Sequence, residues 1–303
     1  MLNIVGNKKI FFIISAVLMV ASVVSLVLQG FNLDTDFAGG IALTLQVEKD
    51  FTVKDVEAKV SEALGATQKA SSVQSADDNQ VIIKFAYDNA LKTDAERITF
   101  QNEKIEAIKT KLSESYGNIE EVNSDTVSPS TGRELAQSAI WMSILAALAI
   151  LIYITFRFEF TSGVCAVLAL VHDILILCGI YSVLRIAIDT NYIAALLTVL
   201  GYSINATIVI FDRIRENTRH ASKSTYSEIA NTSINQTLLR SINTTVTTLL
   251  TIGMVYLLGV TSIKVFALPI IIGILIGTYS SICIAGSVWA TWKDAAVKAK
   301  AKK

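Results

Sequence analysis

The chain has 303 residues, 52% of them hydrophobic, and 26 basic and 26 acidic side chains cancel to a formal net charge of zero. No basic stripe points to nucleic acid, and neither a strongly acidic nor a strongly basic partner is implied. A half-apolar composition is also common in soluble domains, so the distribution of the apolar residues decides the class.

Six mostly uncharged windows fall at 10–28, 135–156, 163–184, 192–211, 241–260 and 265–290. Each is long enough to cross about 30 Å of hydrocarbon as a helix. The first follows Lys8 and Lys9 and runs to Leu28 before Gln29, Gly30 and Phe31. A secretory signal would carry a shorter apolar core, about 7–15 residues, and a small-residue cleavage site; an uncleaved anchor is expected.

Residues 29–134 form a long polar insert with its own pattern. Ile41 to Glu48 alternates as a strand does. Val53, Val56, Val60 and Leu64 recur at helical spacing, and Gly65 stops the helix. Ala70 to Ser75 and Gln80 to Ala86 read as strands around the turn Asp77-Asp78-Asn79. Thr93 to Tyr116 reads as a helix with Thr93 as N-cap, Glu96 completing a capping box, and Ile98, Ile105, Ile108 and Leu112 on one face. Ile119 to Val127 is the last strand. The order β-α-β-β-α-β over residues 36–127 predicts a ferredoxin-like split βαβ unit. The insert holds no His or Cys, so neither a metal site nor a disulfide framework is expected there. It reads as a docking or grasping domain.

The third span carries His172-Asp173 near its midpoint. An ionisable residue at that depth is a functional candidate; an internal hydrogen-bonding anchor is the alternative, since adjacent helical residues diverge in direction. The fourth span holds Ser203, Asn205 and Thr207 and exits into the charged run Asp212 to Glu216. Residues 212–240 are expected to form a loop. Thr237, Ser241, Thr244, Thr248 and Thr251 draw a hydroxyl face leading into and along the fifth span, fit for helix packing or for a water path. In the sixth, Gly273, Gly277, Ser281 and Ala285 form a small-residue ridge for close helix approach, and Pro269 is expected to kink the entry. Cys165, Cys178 and Cys283 all lie in spans and are expected to pack as small apolar residues.

Lysine and arginine asymmetry orients the spans. Lys8 and Lys9, Arg157, the group Arg213, Arg215, Arg219, Lys223 and Arg240, and the tail 291–303 with Lys293, Lys298, Lys300, Lys302 and Lys303 fall on one side; the opposite side has short turns with Arg185 and Lys264. Residues 1–9 and the tail are therefore expected in the cytoplasm and the 29–134 domain outside. No phosphate-binding glycine loop, G-x-S-x-G or H-E-x-x-H occurs. No enzyme and no cofactor is expected. Work would be drawn from an ion gradient or from partners.

Several motifs in one order resemble the SecF family. Asp36-Phe37-Ala38-Gly39-Gly40 resembles its D-F-x-G-G, and Val171-His172-Asp173 its V-H-D. Gly201, Tyr202, Ser203 and Asn205 resemble its G-Y-S-x-N-D-T, and Asp212, Arg213, Ile214, Arg215, Glu216 and Asn217 its D-R-I-R-E-N. Arg240 resembles its arginine at the start of span five. The resemblance implies a six-helix member of the RND-type superfamily in the bacterial cytoplasmic membrane. It implies a complex with SecD and the SecYEG channel, with YajC, acting on a translocating polypeptide and driven by the proton motive force or by sodium. Among residues it implies coupling roles for Arg240, Asp173 and Asn205. One departure stands out: where the pattern has Asp after Asn205, this chain has Ala206. Alanine cannot load a proton, so the resemblance implies that a partner or Asp173 supplies the acid. A small-molecule or lipid exporter, the other transport reading, would be expected to carry a duplicated set of spans.

Overall fold

The computed structural model describes residues 1–65, 70–76, 79–88, 91, 93–157, 159–220 and 224–301. Asp77, Asp78, Lys223, Lys302 and Lys303, which entered the expectations above, lie outside them. Among the described residues, six helices are long and apolar enough to cross a membrane.

In chain order, α1 is Lys8–Gln29, β1 Asn32–Leu33, α2 Thr35–Ala38 and β2 Gly40–Val47; α3 is Val53–Leu64, β3 Ala70–Ala76, β4 Gln80–Ala86, α4 Asp94–Tyr116 and β5 Ile119–Val127. Then come α5 Pro129–Arg157, α6 Phe160–Val183, β6 Ala187–Ile188, α7 Thr190–His220, α8 Tyr226–Leu258 and α9 Thr261–Tyr279, followed by a π-helical turn Ser280–Ala285 and α10 Gly286–Ala301.

The unit between α1 and α5, named the outer unit after its expected side, is built on an antiparallel sheet in the order β3-β4-β2-β5. The alternation of β2 points Ile41, Leu43, Leu45 and Val47 into the core. There they meet Val56, Val60 and Leu64 of α3 and Ile105, Ile108 and Leu112 of α4. Both helices start where the sequence puts a cap: the Thr52 side chain accepts the Asp55 N–H, and Thr93 with Glu96 forms a reciprocal capping box. Ile98, expected on the inner face of α4, is instead exposed.

In the bundle, α6, α7 and α9 form the centre, and α1, α5 and α8 stand outside with much of their apolar surface uncovered. Small residues set the close approaches. A Cβ on Gly273 would meet Val199 at 2.3 Å, and one on Gly277 would meet Ser203 at 2.8 Å. The glycine ridge of the sixth span therefore packs on α7.

Several boundaries differ from the expectations. Within 212–240 the described residues are largely helical: α7 continues to His220 and α8 begins at Tyr226, behind a capping box of Thr225 and Glu228. Charge ends the membrane segment but not the helix, because Phe211 and Ile214 on α7, and Ile229, Ala230 and Ile234 on α8, keep an apolar stripe facing the bundle. The second span begins earlier, at Pro129, whose fixed φ suits a helix start. The tail is helical through Ala301, and α9 runs through Pro269. The N-terminal segment is pinned to α8: Asn235 Oδ1 accepts the Leu2 N–H, and Asn231 Oδ1 accepts those of Ile4 and Val5.

Candidate functional site

Two structural nodes adjoin α7, one near its middle and one at its start. At the first, His172 and Asp173 are 4% and 1% exposed, and both lie in the bundle interior. The expectation that adjacent residues must face apart is corrected here. Successive residues diverge by about 100° on a helix, but α6 has α1 on one side and α7 with the π-turn on another, so both directions are inward. His172 Nδ1 lies 2.9 Å from Asp173 Oδ1, and His172 Nε2 lies 3.1 Å from the Ser15 hydroxyl on α1. Asp173 Oδ2 accepts from Ser203 of α7 at 2.6 Å and from Ser280 of the π-turn at 2.8 Å.

Satisfying every contact at once constrains the protons. The Tyr279 hydroxyl donates to the Phe11 carbonyl at 3.0 Å and lies 3.2 Å from Ser15 Oγ. Ser15 then donates to Tyr279 and must accept from His172 Nε2–H. The network thus couples an imidazole and a carboxylate through one close contact, with serine hydroxyls on either side. A second layer closes it, with Thr207 bonded to Ser281 at 2.8 Å and Ser281 donating to the Ser203 carbonyl at 3.3 Å. The π-turn sits at this point. Such turns occur mostly as local insertions in α-helices and recur at functional sites.

The second node is built by the D-F-x-G-G segment. Lys84 Nζ of β4 lies 2.7 Å from Asp34 Oδ2 and 3.8 Å from Asp36 Oδ1. The other side of Asp36 grips α7: its Oδ2 accepts the Thr190 N–H at 3.1 Å and the Thr190 hydroxyl at 2.8 Å. Burial pulls the Lys84 pKa down, but Asp34, Asp36 and Asp189 outweigh it and hold the group above the ordinary lysine value of 10.5. Gly39 has φ +79°, and a Cβ there would meet the Pro129 backbone at 2.7 Å, so glycine is required where the outer unit meets α5. The strands β1 and β6 pair in parallel, tying the end of α1 to the entry of α7.

The remaining sequence candidates sit elsewhere. Asn205 is exposed and Ala206 half-buried on α7. Arg240, expected at the start of a span, is exposed within α8, in a groove of about 370 Å³ with Asp212, Arg213 and Glu216. Among the described residues no ion pair joins it to Asp173. Arg213 Nε donates to Gln236 at 2.6 Å, and Asn217 donates to Ser233 and Gln236 at 2.8 Å each, clamping α7 to α8. Tyr202 donates to Thr245 at 3.3 Å. The hydroxyl face of α8 divides: Thr237 and Ser241 are buried, whereas Thr244 and Thr251 are exposed and bond back to carbonyls of their own helix. Sequence reasoning missed Ser15, Ser280, Asp34, Lys84 and Thr190. Ser15, Ser22 and Ser25 do recur on one face of the first span, a signal that was available.

The model of the protein-export membrane protein SecD/SecF C-terminal family matches residues 107–295. The protein translocase subunit SecF of Sebaldella termitidis is 36% identical over 292 residues, covering 94% of this chain and 89% of that protein. This chain belongs to the SecF family. The SecF of Petrotoga mobilis is 35% identical over 287 residues, 95% of this chain and 94% of its own. The crystal structure of SecDF, a translocon-associated membrane protein from Thermus thermophilus, superposes with a TM-score of 0.79 at 33% identity, covering 97% of this chain and 39% of that one. A SecF-family chain of this length therefore corresponds to about two-fifths of a SecDF protein, and it is a multi-pass membrane protein.

Proposed function

We propose that this chain assists Sec-dependent protein translocation across the bacterial cytoplasmic membrane. It works with SecD beside the SecYEG channel and YajC, and it converts the proton motive force, or a sodium gradient, into movement of the outer unit against the exported polypeptide. It is a transport subunit without enzymatic activity or cofactor, with both termini in the cytoplasm. The outer unit is a ferredoxin-like docking domain; its element order and its sheet order support that reading.

The observation that carries the proposal is the buried Asp173 carboxylate, in contact with His172 and accepting from Ser203 and Ser280. Protonating the carboxylate removes the charge to which the Ser203 and Ser280 hydroxyls donate, and charge-assisted bonds are the stronger kind. That loosens α7 from α6 and the π-turn. The helix carries the change to Thr190, and from there Asp36 and Lys84 pass it to the sheet. With Ala206 in place of the family acid, Asp173 is, among the described residues, the buried carboxylate within a candidate span. Asn205 of α7 and Asn243 of α8 are exposed, and lipid does not satisfy amide groups of that kind. SecD is the partner proposed to cover them, bringing an acid opposite Arg240.

The test is export of a secreted reporter, with and without an uncoupler, in cells carrying Asp173→Asn or Arg240→Met. Both variants are expected to lose the uncoupler-sensitive part of export while still co-purifying SecD. Normal uncoupler-sensitive export by Asp173→Asn would remove this network from the mechanism.

A further inference from the structure

At the basic end of the bundle, a cavity of about 350 Å³ opens between the start of α6, the end of α7, the start of α8 and α10. Its charged lining is Arg215 and Arg219 of α7, Lys293 of α10 and Glu159 ahead of α6. That is one carboxylate for three cations. The carboxylate is already engaged, with Glu159 Oε2 2.5 Å from Lys293 Nζ. Arg215 and Arg219 stand four residues apart on one helix face, where like charges repel and destabilise the helix. The inner wall is apolar and aromatic, formed by Phe211, Ile214, Tyr226 and Trp289. Tyr226 and Trp289 pack edge to face, with ring centroids 5.6 Å apart, and Lys293 lies 5.9 Å above the indole. Aromatic side chains of this kind belong to the headgroup level of a bilayer.

We propose that this cavity binds a phosphate group, and that it does so as the headgroup site of an anionic phospholipid. The arginine forks match phosphate oxygens, the aromatic wall borders the acyl region, and a basic pocket between helix ends is where anionic headgroups dock. The Arg215 of the D-R-I-R-E-N run thereby acquires a role separate from that of Arg213, which holds α8. The site is separate from the Asp173 network and does not depend on ion coupling.

The full-length chain is placed in phosphatidylcholine nanodiscs doped with phosphatidylglycerol, and the lipids that stay bound after release into detergent are counted by native mass spectrometry. A second arm measures thermal stability in detergent with inorganic phosphate as the only added anion. The wild type is expected to retain phosphatidylglycerol over phosphatidylcholine. Arg219→Gln and Lys293→Gln are each expected to weaken that retention by roughly fivefold, the worth of one cation at a charged membrane surface. Arg219→Lys is expected to keep most of it, and Lys264→Gln, at the opposite end, all of it. Stabilisation by inorganic phosphate equal to that by the lipid, lost in the same variants, keeps the phosphate site and reassigns its occupant to a soluble anion. Equal retention of both lipids, or retention unchanged in Arg219→Gln and Lys293→Gln, overturns the proposal.

Discussion

The core of the outer unit is apolar, whereas the helical bundle buries polar side chains alongside its apolar ones. The core of the unit is apolar throughout, from Ile41 and Leu43 on the sheet to Leu112 and Tyr116 on α4. The bundle adds to buried apolar residues such as Leu170, Leu177 and Phe211 the polar His172, Asp173, Ser203, Thr207, Ser233, Ser280, Ser281 and Ser287. The solvent on the far side explains the contrast. In water, removing apolar surface drives collapse, so the interior is selected for Leu, Ile and Val. Lipid is as apolar as leucine, so apolar burial does not hold helices together there; close packing of small residues and hydrogen bonds do. The same serine that would weaken the first region holds the second.

The largest effect should come from the apolar core. Leu43→Ala is expected to destabilise the outer unit by about 2–5 kcal/mol, read as faster amide exchange in β2 and β4 with the protection of α6 and α7 unchanged. Loss of protection in both regions together would mean that they fold as one unit and would remove the contrast.

Next comes the junction between the regions. Lys84→Met leaves Asp34, which is 1% exposed, without its cation, and losing one partner of a buried pair costs about 3 kcal/mol or more. The expected readout is a protease-sensitive link at residues 34–40 and weakened export. The same pair gives a pH signature. Because the Lys84 pKa lies above 10.5 in the folded chain, its contribution is complete below 10.5 and is lost as pH rises through the higher folded value. Tyr116 adds to this: burial and its bond to Asp55 raise it to about 12. Alkaline titration followed by circular dichroism should show a transition that Lys84→Met shifts to lower pH.

A smaller effect is expected at mid-membrane. Ser203→Ala removes one of two hydroxyls on Asp173 Oδ2, a charge-assisted bond worth about 1.5–3 kcal/mol in soluble proteins and less in a membrane. It should lower thermal stability slightly while altering the pH dependence of export; an unchanged pH profile would reduce the serine to packing. The smallest effect belongs to Thr244→Val on the exposed side of α8, whose hydroxyl serves its own helix through the Arg240 carbonyl at 2.9 Å. Stability of the isolated chain should shift by less than about 0.6 kcal/mol. Any larger loss should appear only in co-purification of SecD.

The sequence by itself determined the six spans, because a run of apolar residues reports its own solvent. It also determined the strands and helices of the outer unit, because caps such as Thr93 with Glu96 and the alternation from Ile41 are local signals. It singled out Asp173, since an acid within a span needs a reason. It did not yield the ends of α7 and α8, where charge was read as a stop although the apolar stripe of Phe211, Ile214, Ile229 and Ile234 continued. Only the tertiary structure decided what Asp173 touches. Ser203 and Ser280, which bond it, and Ser15, which bonds its neighbour His172, come from three other elements, and serine is common enough in membrane helices that Ser15 and Ser280 do not stand out. The same holds for Lys84, an ordinary strand lysine until the sheet brings it to Asp34 and Asp36. A local pattern can name a charged group that must be compensated, but the compensating groups are distant in sequence, and their choice is made by packing.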